Sequence, residues 1–303
     1  MKKVLILGGS YFVGRVFTRM ASRLRDYDLH VVNRGNYPLK IENITHYVCD
    51  RHNVEELGKK LPETTWDAVI DFCAYEPGDI SSLLKAIPGH VRQYIFISTC
   101  SVYEPSAPSP KTEDAPLLAT GGDDPGRAYA YKKRLLEEEA SQACGQKNCA
   151  LTILRPAFIY GPLNYAPRES FYFDSILENR PIPAPTNSTG RFQFVYVKDV
   201  ARIVMGCIAN EAVYGEACNL SAPEQMDYNG FLDVLAKAHG EPLSLQPVTV
   251  AQVYMQNIPL PFPLDSDELY AGDKIKVALG MEYTPFTDGM KETYDIYMSV
   301  NKK

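Results

Sequence analysis

Short apolar runs recur through the first half of the chain and alternate with stretches whose apolar residues follow a helical spacing. The runs are rich in Val, Ile and Leu and lack a regular polar alternation, which is typical of strands buried on both faces of a parallel sheet. We predict strands at 4–7, 29–32, 46–49, 68–72, 94–97 and 151–154, and helices at 12–24, 54–61 and 129–143. The β-α-β-α order predicts an α/β fold built on a doubly wound parallel sheet.

The pattern changes after Pro156, where the sequence becomes rich in aromatic residues and is interrupted by prolines. Helical spacing returns at 200–208, at 231–238 and near the C-terminus, so we predict a smaller, mostly C-terminal α/β lobe. The one long irregular segment, 104–128, contains five prolines. A segment of this kind is usually a functional lid or an exposed connector, and the sequence leaves both open.

Composition narrows the class of protein. The chain has 31 Lys and Arg against 37 Asp and Glu, a formal net charge of −6, which makes a nucleic-acid partner unlikely because such proteins normally carry a basic surplus. No apolar run is long enough for a membrane helix. The seven cysteines form no C-x-x-C pair, and the histidines show no metal-ligand spacing. We therefore expect a cytoplasmic protein with no membrane and no metal.

A glycine-containing turn follows the first predicted strand and leads directly into a helix, which is the context of a dinucleotide-binding turn. Gly8 permits a tight turn, Gly14 permits close packing of helix on strand, and the helix amides can bind a pyrophosphate. An ordinary tight βα turn is the alternative. The predicted binding residues are Gly8, Gly9, Ser10, Tyr11, Phe12, Val13 and Gly14.

The end of the second strand is where a Rossmann fold meets the adenosine ribose of its cofactor. An NAD site places a carboxylate there, whereas this chain has Asn33 followed by the permanent charge of Arg34. A 2′-phosphate is favoured by this pair, so we predict NADP as the preferred cofactor, with NAD possible. A solvated surface arginine beside a turn is the alternative.

Tyr129 and Lys133 lie four residues apart on a predicted helix, which places them on one face about one turn apart. An ammonium close to a phenol lowers the phenol's pKa and makes it available as a general acid or base near neutral pH. Tyr131 has Leu135, and not a lysine, four residues later, so we choose Tyr129 as the candidate acid or base. Alone, the spacing also fits a surface helix pair.

Further motifs occur in a fixed order along nearly the whole chain. The fifth strand ends in hydroxyl-bearing residues at 98–101, before Val102-Tyr103. Leu154-Arg155-Pro156 precedes Ile159-Tyr160-Gly161-Pro162, and Phe194-Val195-Tyr196-Val197-Lys198-Asp199-Val200 follows. Together with the glycine turn and the Tyr-Lys pair, this set resembles the NAD(P)-dependent epimerase/dehydratase family of extended short-chain dehydrogenases. It is most similar to an atypical branch that contains chloroplast stem-loop-binding proteins.

The resemblance implies roles for particular residues. Counting three residues before Val102-Tyr103 gives Thr99 as the hydroxyl that orients the reacting oxygen, with Ser98 as the alternative. Asp50 matches the position that contacts the adenine amine, although it could instead cap the following helix. Catalytic roles then fall on Thr99, Tyr129 and Lys133. Further cofactor contacts are predicted at Asn33, Arg34, Asp50, Arg51, Ala74, Tyr75, Lys133 and Pro156.

The resemblance also implies two domains and a reaction class. The dinucleotide-binding domain would comprise 1–160 plus about 192–215, and the substrate-binding lobe about 161–191 and 216–303. We expect an enzyme that moves hydride reversibly at a carbinol or carbonyl carbon of a small-molecule substrate such as a sugar or sugar nucleotide, and that could form a homodimer. The alternative is a catalytically quiet dinucleotide-binding or RNA-associated protein.

Two departures from the family pattern bear on the substrate. Dehydratases of the family carry two acidic residues after the catalytic Thr, where this chain has Cys100 and Ser101, so dehydration is disfavoured. The Arg-Asp pair that clamps a nucleotide diphosphate falls on Phe192 and Gln193. Arg191 lies one residue early, which on a strand turns its side chain to the opposite face. A nucleotide-diphosphate sugar is therefore a weaker expectation than for the family in general.

Overall fold

The computed structural model describes residues 1–301 and is built around a seven-stranded, all-parallel sheet. The strands of the chain are β1 (Lys2–Leu7), β2 (Tyr27–Asn33), β3 (Ile44–Val48), β4 (Thr64–Trp66), β5 (Ala68–Asp71), β6 (Gly89–Val91), β7 (Gln93–Ile97), β8 (Ala150–Pro156), β9 (Phe158–Tyr160), β10 (Ile182–Pro185), β11 (Phe192–Tyr196), β12 (Glu216–Leu220), β13 (Gln225–Met226) and β14 (Leu245–Val248). The helices are α1 (Phe12–Ala21), α2 (Val54–Lys60), α3 (Asp79–Ala86), α4 (Pro125–Lys147), α5 (Glu169–Leu177), α6 (Val197–Cys207), α7 (Tyr228–His239), α8 (Val250–Met255), α9 (Asp273–Leu279) and α10 (Phe286–Asn301).

The order across the large sheet is β3-β2-β1-β5-β7-β8-β12. The chain builds outward from β1 in one direction and then from β5 in the other, so the direction reverses between these two neighbours. In doubly wound sheets, ligands bind in the crevice that this reversal opens at the carboxyl ends of the strands. The predicted fold class is confirmed.

Helices cover both faces of the sheet, as the apolar strands require. Leu57 of α2, Leu83 of α3 and Leu136 of α4 pack on one face against Val69 and Phe96. The opposite face packs against α1 and α6, and this apolar core continues into the aromatic cluster of the smaller sheets, which includes Phe192, Phe194, Phe231, Phe262 and Phe286. Among these smaller sheets, β11 pairs with β9 and β13, and β10 pairs with β14. The exact lobe boundaries stay a prediction.

Helix α3 is absent from the sequence prediction, although it is one residue longer than α2, which the prediction includes. Its N-terminus depends on a tertiary contact. The carboxylate of Glu139, on α4, accepts hydrogen bonds from the backbone N–H groups of Gly78, Ile80 and Ser81 at 2.8, 3.1 and 2.7 Å. A negative charge at this position offsets the unpaired amides of the first helical turn.

The irregular segment before α4 is tied to the rest of the fold by its backbone. Lys111 N–H donates to Leu269 O at 2.9 Å, and Lys111 O accepts from Ala271 N–H at 2.9 Å. Leu118 N–H donates to Val102 O at 2.8 Å. These bonds anchor the segment beside the carboxyl end of β7.

No helix between residues 1 and 301 is both long and apolar enough to cross a membrane.

Candidate active site

A cavity of about 1090 Å³ opens at the carboxyl ends of the central strands. Its lining contains most of the predicted site residues: Gly8, Ser10, Tyr11, Phe12, Val13, Gly14, Asn33, Arg34, Asp50, Arg51, Tyr75, Thr99, Tyr129, Lys133 and Pro156. Two predicted residues lie outside the lining. Gly9 packs behind the turn against Thr18, and Ala74 is fully buried. The fold thus brings residues from seven separate segments to one cleft.

The glycine turn has no room for side chains at its two key positions. Gly8 has a φ of +82°, which L-residues rarely adopt. A Cβ on Gly14 would lie 2.3 Å from the backbone oxygen of Gly8, so only glycine allows α1 to pack this closely on β1. No side chain caps the start of α1, and its first turn has no acidic residue. Its first amides therefore remain available to an anion.

The glycine turn resembles the G-x-x-G-x-x-G of extended short-chain dehydrogenases, with Tyr11 in place of the middle glycine. The Tyr11 ring is directed towards two other tyrosines. Its ring centroid lies 4.7 Å from that of Tyr37, after β2, and 4.9 Å from that of Tyr165, after β9. All three side chains line the cavity and are more than one-third exposed. The substitution therefore adds an aromatic wall that spans the turn and the segment after β9.

The end of β2 has the polar groups that the sequence predicted. Asn33 Oδ1 accepts from Gly35 N–H at 2.8 Å, whereas Asn33 Nδ2 is buried and has no hydrogen-bond partner among residues 1–301. Arg34 is exposed beside it. Asp50 accepts from the backbone N–H of His52 at 2.9 Å, and that bond, with the His52 ring, lowers the pKa of the carboxyl. The cap of α2 is Asn53, not Asp50, so the capping alternative for Asp50 is wrong.

Arg51 lines the cavity, but its guanidinium is used within the fold. Two of its nitrogens donate to the two carboxylate oxygens of Asp71 at 2.8 Å, and Nη2 also donates to Asp79 O at 2.8 Å. Burial opposes the charge on Arg51, but the attraction of Asp71 outweighs it and raises the pKa of the guanidinium. Arg51 therefore holds a structural ion pair at the cavity, and its predicted contact with the cofactor stays a prediction.

Tyr129 lies in the first turn of α4, four residues before the buried Lys133. The Lys133 ammonium is 2% exposed and donates to Ala74 O at 3.0 Å and to Ile97 O at 2.7 Å. Burial lowers its pKa to about 8. Burial also raises the pKa of Tyr129 to about 12, Tyr165 adds to this rise, and Arg168 is the cation that opposes it. The expected lowering of the phenol's pKa by Lys133 is absent, because the ammonium is directed at two carbonyls.

The two candidate hydroxyls after β7 have different surroundings. Ser98 is buried and donates to Glu137 Oε1 at 2.6 Å. Thr99 lies at the cavity surface, where its Oγ1 accepts from Ser101 N–H at 3.2 Å and lies 3.2 Å from Ser101 Oγ. Ser98 also lines the cavity, but it is 3% exposed and bonded to Glu137, so Thr99 is the better placed of the two predicted hydroxyls.

Glu137 links the buried Ser98 to Arg155, which belongs to the Leu154-Arg155-Pro156 motif. It lies on the same face of α4 as Tyr129 and Lys133, and its carboxylate accepts from Arg155 Nε at 2.9 Å and from Nη2 at 2.6 Å. Arg155, on β8, also donates to the hydroxyl of Tyr103 at 2.9 Å. One buried ion pair thus holds α4 against the strands that end at the site.

Removing one partner of this pair is expected to destabilise the protein. Glu137→Ala would leave the Arg155 charge buried without its carboxylate and should lower the free energy of unfolding by about 3–5 kcal/mol. Glu138→Ala is the matched control, since Glu138 is half-exposed and pairs only with Arg134 on the helix surface, where a loss below about 1 kcal/mol is expected. Urea denaturation measures both, and equal losses would contradict the structural role.

Several cavity residues have no counterpart in the sequence prediction. The outer wall of the cavity, defined as its lining residues from 103–118, 157–168 and 268–270, contains Tyr165, Arg168, Lys111, Glu268 and Tyr270. These residues lie in irregular segments, where neither helical nor strand periodicity indicates which side chains face inward. The Pro- and Tyr-rich composition was their one available signal.

Comparison with known proteins agrees with the geometry. The sequence model of the NAD dependent epimerase/dehydratase family matches residues 4–221. The chain is 29% identical over 255 residues to chloroplast stem-loop binding protein of 41 kDa b from Arabidopsis thaliana. That match covers 80% of this chain and 64% of the relative, so the chain spans less than two thirds of the relative's length.

Solved structures share the fold at low sequence identity. UDP-glucuronic acid 4-epimerase from Bacillus cereus, in complex with UDP-glucuronic acid and NAD, superposes with a TM-score of 0.76 at 18% identity and covers 98% of this chain and 99% of its own. dTDP-glucose 4,6-dehydratase from Bacillus anthracis, in complex with NAD, gives a TM-score of 0.77 at 18% identity and covers 100% and 98%. At such identities the likeness extends to the fold.

Proposed function

Because this chain belongs to the NAD dependent epimerase/dehydratase family, as its motifs predicted, we propose that it is an NAD(P)-dependent oxidoreductase or epimerase. It moves hydride reversibly at a carbinol or carbonyl carbon of a small molecule, a sugar or sugar derivative. The observation that carries this proposal is the convergence of Thr99, Tyr129 and Lys133 on one cavity that begins at the glycine turn. The dinucleotide-binding part, 1–160 plus about 192–215, and the substrate lobe belong to the same proposal.

The residues present fit a dinucleotide. The uncapped start of α1 offers amides to a pyrophosphate, and Gly14 keeps that approach open. The unpartnered Asn33 Nδ2 at the end of β2 offers a donor to the adenosine ribose. When bound, the nicotinamide ring supplies the chemistry of accepting and returning a hydride.

The chain's own residues handle the substrate proton. Tyr129 keeps its phenol proton near neutral pH, so it donates that proton to a carbonyl oxygen as the carbon receives hydride, and takes it back in the reverse direction. The Thr99 hydroxyl holds the same oxygen beside the phenol. Lys133, fixed by two carbonyls, lies beneath both and is positioned for the nicotinamide ribose.

We also propose that dehydration by the family route is disfavoured. Elimination of water by the family route needs two carboxyl groups after the catalytic Thr, and neither replacement can act as one. Cys100 is buried and donates its S–H to Arg155 O at 3.0 Å, and burial raises the pKa of its thiol well above the ordinary value. Ser101 is a neutral alcohol.

Cofactor preference is tested by Arg34→Ala. A charge-assisted contact to a 2′-phosphate is worth about 1.5–3 kcal/mol, so affinity for NADP should fall roughly tenfold or more, with little change for NAD. Arg25→Ala, another exposed arginine outside the cavity, should change neither affinity. Calorimetry with both cofactors measures the difference, and equal losses for NADP and NAD would mean that Arg34 is only a surface residue.

The experiment that tests the function starts from protein purified without added cofactor. Denaturation should release a nicotinamide dinucleotide that chromatography identifies. Sugars and small carbonyl compounds are then screened for cofactor oxidation or reduction by absorbance. A chain that neither retains nor binds a dinucleotide would refute the proposal.

The second candidate is a quiet dinucleotide-binding or RNA-associated protein, which the likeness to the stem-loop binding protein favours. The basic run 132–134 argues against an RNA-binding face. Lys132 pairs with Glu76 at 2.7 Å, Lys133 is buried, and Arg134 pairs with Glu138 at 2.9 Å. Salt-dependent retention of stem-loop RNA without any hydride transfer would favour this candidate. A homodimer also stays a prediction.

A further inference from the structure

The outer wall of the cavity contains two cations, Lys111 and Arg168, that have no ion-pair partner among residues 1–301. The other cations near the reacting centre are already used. Arg51 is paired with Asp71, Arg127 lies 4.0 Å from Glu104, and Lys133 is held by backbone carbonyls. Two positive charges therefore remain available in the part of the cavity left for a substrate.

Lys111 is the more unusual of the two. Its side chain is 4% exposed, yet its ammonium makes no hydrogen bond and no ion pair with any residue from 1 to 301. Its nearest described contact is the Tyr270 ring, whose centroid lies 5.4 Å from Nζ. The backbone bonds to Leu269 and Ala271 fix its position in the wall. Nζ is not one of the fully buried, unpartnered polar atoms of residues 1–301, so the ammonium is accessible from the cavity, where an anion from outside the chain can bind it.

Arg168 lies on the other side of the same wall, in the segment that leads into α5. One of its nitrogens donates to Ile159 O at 3.2 Å, and its guanidinium lies 5.2 Å from the centroid of the Phe158 ring. The adjacent carboxylate, Glu169, favours the charge on Arg168 from a distance, but it makes no ion pair with Arg168 and instead accepts from Gly161 N–H and Asn164 at 2.9 and 3.0 Å. The other N–H groups of the Arg168 guanidinium remain available to bind an oxyanion.

The wall has one carboxylate, and the chain already uses it. Glu268 accepts a hydrogen bond from the Tyr270 hydroxyl. The two residues that would clamp a nucleotide diphosphate are also used within the fold. Phe192 is fully buried, and Gln193 bonds to Ala222 O and Tyr270 N–H at 2.8 and 2.7 Å. The positions that usually bind a diphosphate therefore carry no positive charge in this chain. The available positive charges, Lys111 and Arg168, lie instead in the outer wall of the cavity.

We propose that Lys111 and Arg168 select a substrate that carries an oxyanion, a carboxylate or a phosphate, on the reacting sugar itself. This inference rests on the proposed function and deepens it, because it names the chemical class of the substrate. Both groups are oxyanions that an ammonium and a guanidinium bind with charge-assisted hydrogen bonds. Neutral sugars would leave the two cations without a partner.

The test uses the whole protein loaded with its dinucleotide. Calorimetry measures the affinities for D-glucuronate, D-glucose 6-phosphate, D-glucose and UDP. We expect at least one acidic sugar to bind at least about tenfold more tightly than D-glucose, and that preference to be lost in Lys111→Met and Arg168→Gln. Lys237→Met, an exposed lysine outside the cavity, should keep it. The two acidic sugars distinguish a carboxylate from a phosphate.

Each contrary result has a distinct meaning. Equal affinity for acidic and neutral sugars, no binding of any sugar, or an unchanged preference in both variants would overturn the inference. Binding of UDP that is lost in both variants would also overturn it, because the oxyanion would then belong to a nucleotide. Failure of the proposed function shows separately, as a dinucleotide-loaded chain that transfers no hydride although the acidic-sugar preference remains.

The fold itself offers a second measurement. Because Lys111→Met replaces an unpaired buried charge by an apolar chain of similar length, its melting temperature should equal or exceed that of the wild type. A large loss of stability would mean that the ammonium serves the structure, and would count against a ligand-binding role. Loss of sugar preference together with retained stability is the combination that supports the inference.

Discussion

Tyr129→Phe is expected to lower turnover by a factor of about 10² to 10⁴ and to leave dinucleotide affinity nearly unchanged. The substitution removes one hydroxyl from the cavity surface, where the phenol can reach a ligand, and leaves the ring in place. Steady-state kinetics with the substrate found in the screen, together with calorimetry for the cofactor, measure the two effects. Tyr131→Phe is the matched control, since Tyr131 lies two residues along the same helix and outside the cavity lining.

Lys133→Met should lower both turnover and dinucleotide affinity, because its ammonium is buried between the carbonyls of Ala74 and Ile97, at the junction of the two parts of the site. Lys132→Met changes an exposed neighbour and should lower neither turnover nor affinity.

Full turnover in Tyr129→Phe would remove the phenol from the mechanism and would favour the quiet-binding candidate.

Gly14→Val is expected to abolish dinucleotide binding. Its Cβ alone would lie 2.3 Å from Gly8 O and 3.1 Å from Gly9 Cα, so the turn and α1 must move apart before any branched side chain fits. That movement displaces the amides that face the pyrophosphate. Calorimetry measures the loss, and circular dichroism shows whether the fold survives.

The control for this substitution is Gly145→Val on α4, where a Cβ would meet nothing within 4 Å. It introduces the same side chain into a helix at an exposed position, and binding should stay intact. Gly14→Ala adds only the Cβ and should already weaken binding. Unchanged affinity in a folded Gly14→Val protein would show that the cofactor does not lie on this turn.

The sheet and the glycine turn could be predicted because buried parallel strands produce long apolar runs, and the turn has a local steric requirement at Gly8 and Gly14. Helix α4, which contains Tyr129 and Lys133, was predicted, although it begins at Pro125 rather than at 129, because its Asp124 cap lies in a segment without periodicity. The role of Arg51 could not be predicted, because its partner Asp71 lies on another strand and becomes a neighbour only in the folded sheet.

The direction of the pKa shift of Tyr129 could not be predicted from the sequence for the same reason. Spacing along a helix places Lys133 one turn away, but the direction of its ammonium depends on carbonyls contributed by two other segments. Burial by the surrounding lobe then raises the pKa of the phenol. Lys111 and Arg168 were missed because irregular segments show no pattern that separates inward from outward side chains.

The single helical stripe formed by Tyr129, Lys133 and Glu137 limits how this protein can change length. Each is four residues from the next, so one face of α4 carries the proposed proton donor, the buried ammonium and the carboxylate that holds Arg155. A one-residue insertion between 129 and 137 would rotate everything beyond it by about 100° and break the alignment. The short stretch 120–123 before Asp124 has no such periodicity and lies outside the cavity lining, so insertions and deletions are compatible with the site there and not within the stripe.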